Sequence, residues 1–271
     1  MGSGQERNSS KKKKNKGKPL GPKTTNLKPK NNINNNKQPQ SDDQLEDQTH
    51  IETGNLQSKL SLFLDKFQSA NRLQLSSLEL DSLTDKCIVD FPGSTDQDVE
   101  NLGKQVKAAF GPSWKDELCD KRLLEGKVGP GSPAVLIIST SALRSIELLR
   151  GFRSLTKECH AAKLFSKHMK VEEQVSLLKD RVNIASGTPN RIKKLIDTEA
   201  LGLSRLSVIV LDVHPDVKGY SLLTLPQVRD EFWDLYKTYF HQRLQGSLRL
   251  SLYGPLVSDN EFKGKKKRPN E

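Results

Sequence analysis

Two short stretches carry residue types whose spacing could hold an anion. Ser139-Thr140-Ser141 follows the apolar run Ala134–Ile138, and Arg144 stands one turn into the helix predicted after it. Gly187-Thr188-Pro189-Asn190-Arg191, with Lys193 just beyond, repeats the arrangement after a second apolar run. Gly187 permits a turn, Thr188 suits an N-cap and Pro189 suits the first helical position. Each stretch therefore offers hydroxyls, the unpaired amides of a helix start and a cation within one turn, which is the chemistry of phosphate binding. Ordinary helix capping accounts for either stretch alone; two of them on one sheet rim point to a phosphate backbone. The candidate RNA-binding residues are Ser139, Thr140, Ser141, Arg144, Gly187, Thr188, Arg191 and Lys193.

A third strand end carries a carboxylate. Leu206–Leu211 is followed by Asp212-Val213-His214-Pro215-Asp216. A phosphoryl-transfer site would pair a magnesium-binding Asp with a residue that orients water, and Val213 can do neither. A phosphate-binding loop also needs Gly-Lys-Ser/Thr between a strand and a helix. Gly126-Lys127 is followed by Val128, Gly103-Lys104 by Gln105, and the glycines from Gly126 to Gly131 precede a strand. No catalytic residue, cofactor or metal is expected, and His214 is expected to be structural. Cys87, Cys119 and Cys159 match no zinc spacing, and sequence adjacency does not make Cys159-His160 a nucleophile pair.

The elements that must position these residues alternate. Strands are predicted at Ala134–Ile138, Ala162–Phe165, Val182–Ala185, Leu206–Leu211 and around Leu248–Leu252. Helices are predicted at Ala142–Arg150, Val171–Lys179, Pro189–Ile196 and Pro226–Leu244. The last carries Phe232, Leu235, Tyr236, Tyr239 and Phe240 as a stripe suited to core packing. Upstream, Leu60, Phe63, Leu64 and Phe67 fall at helical spacing from about Leu56; Pro92-Gly93 marks a turn, Val99–Phe110 reads as a helix ended by Gly111-Pro112, and Trp114–Leu124 as another. Strands alternating with helices predict an α/β fold with a mostly parallel sheet and helices on both faces.

Charge divides the chain differently. The net charge of +11 sits at the ends. Residues 1–40 hold eleven Lys/Arg against Glu6 alone, residues 263–271 hold five against Glu271, and residues 41–262 hold 28 basic against 31 acidic residues. Residues 1–50 have too few large apolar groups to offset ordering entropy and are expected to form a disordered polar tail, with a basic tail at 261–271. Such tails suit a polyanion, or act as solubilising or import segments. No apolar run is long enough to span a bilayer, and Met1–Ser10 lacks a secretory h-region. No membrane partner is expected.

Ser139-Thr140-Ser141-Ala142-Leu143 resembles the first RNA-contacting motif of DEAD-box helicases. Gly187-Thr188-Pro189-Asn190-Arg191 resembles their Thr-Pro-Gly-Arg motif with Asn190 in place of glycine, Leu211-Asp212 stands where Asp-Glu-Ala-Asp begins, and Tyr253-Gly254-Pro255 where Ser-Ala-Thr stands. A narrower resemblance, carried by Ser132-Pro133-Ala134-Val135-Leu136-Ile137-Ile138-Ser139 and by Lys163–Gln174, is to the Cms family of small-subunit pre-ribosome proteins, nucleolar and helicase-like without the phosphate-binding loop. It covers residues 51–260, most specifically 131–260, and implies a single RecA-like domain. It also implies a nuclear, nucleolar place in small-subunit ribosome biogenesis, with pre-ribosomal RNA and processome proteins as partners. The residues leave two rival readings: a protein-interaction module whose core touches no RNA, and a divergent ATP-dependent RNA helicase.

Overall fold

The computed structural model describes residues 43–89, 98–118, 128–157 and 160–256, with side chains from residue 57 onward. Five parallel strands form one sheet: β1 Val135–Ile138, β2 Ala162–Leu164, β3 Ile184–Gly187, β4 Val208–Asp212 and β5 Arg249–Tyr253, in spatial order β2-β3-β1-β4-β5. The helices are α1 Asp43–Asn71, α2 Ser77–Ser82, α3 Val99–Phe110, α4 Trp114–Leu118, α5 Ala142–Arg150, α6 Val171–Leu177, α7 Pro189–Asp197, α8 Pro226–Leu235 and α9 His241–Leu244. The expected α/β class is what the structure shows. The predicted Pro92-Gly93 turn, the distal part of Trp114–Leu124, the C-terminal tail and residues 1–42 of the N-terminal tail lie outside the described residues, while residues 43–50, expected in that tail, form the start of α1.

Strict alternation along the central strands explains why both faces are covered. Leu136, Ile138, Ile209 and Leu211 enter one core with α1, α7, α8 and α9. Val135, Ile137, Val208 and Val210 enter the other with α3, α4 and α5. Leu60, Phe63, Leu64 and Phe67 are buried as their spacing predicts, although α1 begins at Asp43, earlier than the apolar pattern marks. The first core holds an aromatic cluster in which Phe63 and Phe67 meet Trp233 and Tyr236 with ring centroids 4.9–5.8 Å apart. Burying each such ring contributes about 1.5–3 kcal/mol. The long predicted C-terminal helix is continuous but passes through a π turn at Tyr236–Phe240. Phe232, Leu235, Tyr236 and Phe240 are buried, and the half-buried Tyr239 hydroxyl donates to Asp197.

Strand order then fixes where a ligand could sit. From β1 the chain crosses over β3 to β2, whereas from β4 it crosses to β5 on the other side. Neighbouring strands whose connections leave in opposite directions open a crevice at their carboxyl ends. One further segment closes it. Val89 N–H donates to Leu250 O at 2.6 Å beside an isolated Ile88–Leu250 bridge, so residues 88–89 lie parallel to β5, and α3 follows at Val99. α3 crosses α5 closely because Gly103 and Gly151 face each other's helix: a Cβ on Gly103 would stand 2.1 Å from Gly151 O, and one on Gly151 would stand 2.0 Å from Val99 O. That crossing brings the start of α3 to the crevice.

Candidate functional site at the carboxyl ends of the strands

The two predicted anion-binding loops share one rim. Ile138 and Gly187 are register partners, and Ser139 N–H donates to Gly187 O at 3.0 Å. Their side chains, however, serve different ends. Ser141 is the N-cap of α5, its Oγ accepting from Arg144 N–H at 3.2 Å. Ser139 is fully buried, its hydroxyl 2.8 Å from that of Ser145 and 3.3 Å from Ser141 O; it faces the core and not the rim. Thr140 is half-buried and lines the crevice.

At the second loop, α7 starts at Pro189 as predicted. Thr188 occupies the N-cap, but its side chain makes no capping bond, a departure from the expected cap. Its amide donates to Leu164 O at 3.0 Å. Gly187 is needed for close approach: a Cβ there would lie 2.0 Å from Leu164 O, backbone that cannot retreat. Arg191 turns toward β2 and α6, donating to Met169 O at 3.1 Å and Gln174 Oε1 at 2.7 Å. Lys193 turns along the outer helices, 3.3 Å from Asp197 and 3.6 Å from Asp234. The structure therefore groups Thr140, Ser141 and Arg144 at one place and Thr188 on the neighbouring strand end, while Arg191 and Lys193 diverge from them.

The Gln174 contact explains Arg191. Gln174 is buried, and its amide donates to Lys163 O at 2.8 Å and to Phe165 O at 3.0 Å. These carbonyls face the open side of the edge strand β2, since Leu164 O is taken by Thr188 on the β3 side. Arg191 thus orients the amide that blunts the exposed strand edge.

Asp212 is where sequence reasoning saw least. Its carboxylate is 2 % exposed and bound by the chain itself. Arg144 donates Nε to Oδ2 at 2.7 Å and Nη2 to Oδ1 at 3.1 Å, a two-pronged pair. His214 Nδ1 lies 2.9 Å from Oδ1, and its ring stands edge-on to Tyr253 at 4.6 Å between centroids. A second carboxylate, Glu147, lies 3.0 Å from Arg144 Nη1. Burial works against the guanidinium charge, but the carboxylates of Asp212 and Glu147 outweigh it and hold the Arg144 pKa above its ordinary value. Burial also raises the Tyr253 phenol to about 12, so it stays neutral near pH 7.

The crevice encloses about 620 Å³ and is lined by Asp98, Glu147, Asp212 and Asp216 as well as Arg144 and His214. Asp98 caps α3, accepting from Glu100 N–H at 3.0 Å. Residues 90–97, between Val89 and α3, include no lysine, and the start of α3 is capped by a carboxylate, the group that its dipole favours. Asp98 was missed because only the Ile88–Leu250 bridge and the α3–α5 crossing bring it to the crevice, whereas Glu147 stands one turn after Arg144 on the same helix. Among the described residues, no His/Cys/Asp/Glu group is arranged to hold a metal ion, and no helix is long and apolar enough to cross a membrane.

Fold and site together define a parallel α/β protein with a crevice at the strand ends and an internal cation on the crevice carboxylate. The chain belongs to the CMS1 family, "U3-containing 90S pre-ribosomal complex subunit", a ribosome-biogenesis family whose model matches residues 2–245. Protein CMSS1 of Homo sapiens is 32 % identical over 184 residues, covering 66 % of this chain and 61 % of that protein. Protein CMS1 of Chaetomium thermophilum is 37 % identical over 153 residues, covering 54 % and 57 %. The chain spans about half to six-tenths of the length of these curated relatives. Nucleolar RNA helicase 2-B of Xenopus laevis is 32 % identical over 81 residues, 30 % of this chain and 10 % of that protein. Among solved structures, the yeast DEAD-box splicing factor Prp28 superposes with a TM-score of 0.45 at 12 % identity, covering 65 % of this chain and 38 % of that one. A DEAD box protein from Methanococcus jannaschii superposes at 0.38 with 18 % identity, covering 72 % and 51 %.

Proposed function

We propose that this protein is a non-catalytic, RNA-associated component of small-subunit ribosome biogenesis, working in the nucleus and nucleolus beside pre-ribosomal RNA and processome proteins. The observation that carries the non-catalytic part is the state of Asp212. A carboxylate that assists phosphoryl transfer must hold a metal bridging the phosphates. Here it is buried and already neutralised by Arg144, with His214 on the same oxygen. The neighbouring helix start is capped by the Asp98 carboxylate. RNA association is supported by family membership and by the basic ends.

A specific observation also favours protein contact. On α5, Leu143 is 68 % exposed and Ile146 36 %, one turn apart, and Val217 is fully exposed on the loop after β4. The Leu143–Ile146 pair on α5 is apolar surface that a protein partner would cover. In vivo ultraviolet crosslinking, mapped to bases and to peptides, tests both parts. The proposal expects pre-ribosomal RNA crosslinks to this chain within the small-subunit precursor. Protein crosslinks alone, on the α5 face, would replace it with the interaction-module reading.

A further inference from the structure

The rim is electrostatically divided. Over β1 and β4 it is acidic, with four carboxylates lining the crevice. Toward β2 the sign reverses. Residues 160–181, which run through β2 and α6, hold five Lys/Arg (Lys163, Lys167, Lys170, Lys179 and Arg181) against three acids (Glu172, Glu173 and Asp180). This inverts the balance of the 41–262 core as a whole.

A groove of about 770 Å³ runs beside β2 within this basic region. Its floor is apolar, with Leu149, Leu164 and Leu178, and its lips carry the exposed Lys163, His160 and Arg181, whose Nε donates to Val128 O at 3.2 Å. Asp180 is the one acid among the described residues that line it. Because Gln174 covers the outward carbonyls of Lys163 and Phe165, the groove does not offer them to an added strand. Cations on an apolar floor match an unpaired nucleotide: phosphates take the charge, and a base lies on the floor or against an imidazole or guanidinium plane. A duplex, whose bases are stacked inside, would use the charge alone.

We infer that the groove beside β2 holds single-stranded RNA, with phosphates at Lys163 and Arg181 and a base on the apolar floor against His160. The inference rests on the RNA association proposed above and moves the contact from the strand-end crevice to the β2 edge. The test is fluorescence anisotropy of the full chain on a labelled, unstructured RNA about ten nucleotides long, across a salt series. The Lys163→Glu/Arg181→Glu variant should bind at least about tenfold more weakly, with a salt slope shallower by about 1.4, as expected for two lost phosphate contacts on a single strand. If charge reversal disturbs folding, judged by the urea midpoint, the milder Lys163→Gln/Arg181→Gln pair should give the same direction. A control variant replaces Lys11–Lys14 and Lys265–Lys267 by glutamine in the full chain. Unchanged binding by the groove variants, with binding lost in the control, overturns the groove and leaves RNA association standing. Unchanged RNA binding by the groove variants, with loss of a co-purified processome protein, also overturns it and assigns the groove to a peptide. No RNA binding by the unaltered chain overturns both readings.

Discussion

Arg144 and Asp212, 68 residues apart in sequence, form a two-pronged ion pair across the carboxyl ends of β1 and β4. Asp212 is 2 % exposed and the Arg144 side chain 23 %, so the pair is largely withdrawn from water. Removing one partner leaves the other charge uncompensated, a loss of about 3–5 kcal/mol for buried pairs. Arg144→Ala should therefore destabilise the protein by an amount in that range, seen as a lower urea midpoint. Because both single changes disrupt the same contact, Arg144→Met combined with Asp212→Leu should cost less than the sum of the two. Additive losses would mean that the pair contributes no coupling.

Gly187 and Thr188 are neighbours in the motif that resembles the helicase Thr-Pro-Gly-Arg, but they should respond oppositely to alanine. Gly187→Ala drives a Cβ into Leu164 O and should cost about 3 kcal/mol. Thr188→Ala removes a side chain that makes no capping bond and should stay within about 0.5 kcal/mol. Urea denaturation of both variants measures the contrast.

Gln174→Ala should uncover the edge of β2. It removes two hydrogen bonds to strand carbonyls and the acceptor of Arg191. At about 1 kcal/mol per bond, a loss of about 2–3 kcal/mol is expected. The bared edge should also make self-association concentration-dependent in size-exclusion chromatography.

His241 should make stability fall on the acid side. It packs 4.8 Å from Phe67 and 5.5 Å from Tyr236 between ring centroids, and its Nε2 is buried with no hydrogen-bond partner. Burial lowers its pKa from the ordinary 6.5, against a small opposing pull from Glu79. The unfolded chain then binds the proton more readily than the folded one, so stability is full above about pH 6.5 and declines as pH falls toward the lowered value. His241→Phe should flatten the difference between urea midpoints at pH 7.5 and pH 5.5. An equal decline in the variant would assign the effect to other groups.

Much of this architecture was legible because burial on both faces leaves a clear sequence trace. Ala134–Ile138 and Leu206–Leu211 read as strands, and the structure places β1 and β4 within a residue or two of those bounds, and Ser141, Pro189 and Gly111 mark helix ends as their chemistry predicts. β3 lies two residues later than expected, since Val182 and Asn183 precede it: Asn183 spends its side chain on Leu118 O, a contact 65 residues away. The π turn at Tyr236–Phe240 interrupts the predicted helix without any Pro or Gly to announce it. The candidate site was half legible. Helix starts directly after apolar strands placed both loops on the rim, but nothing local could pair Arg144 with Asp212, send Arg191 to Gln174 or bring Asp98 across the crevice. Those depend on strand order and on the Gly103–Gly151 crossing.

Arg144 puts the chain's own cation on Asp212, the carboxylate that would have to hold magnesium in a nucleotide-hydrolysing site. Equilibrium dialysis of the full chain against ATP and magnesium measures this most directly. No saturable binding is expected at millimolar nucleotide, for the unaltered protein and for Asp212→Ala alike. Tight binding by the unaltered protein that Asp212→Ala abolishes would contradict it and restore the divergent-helicase reading.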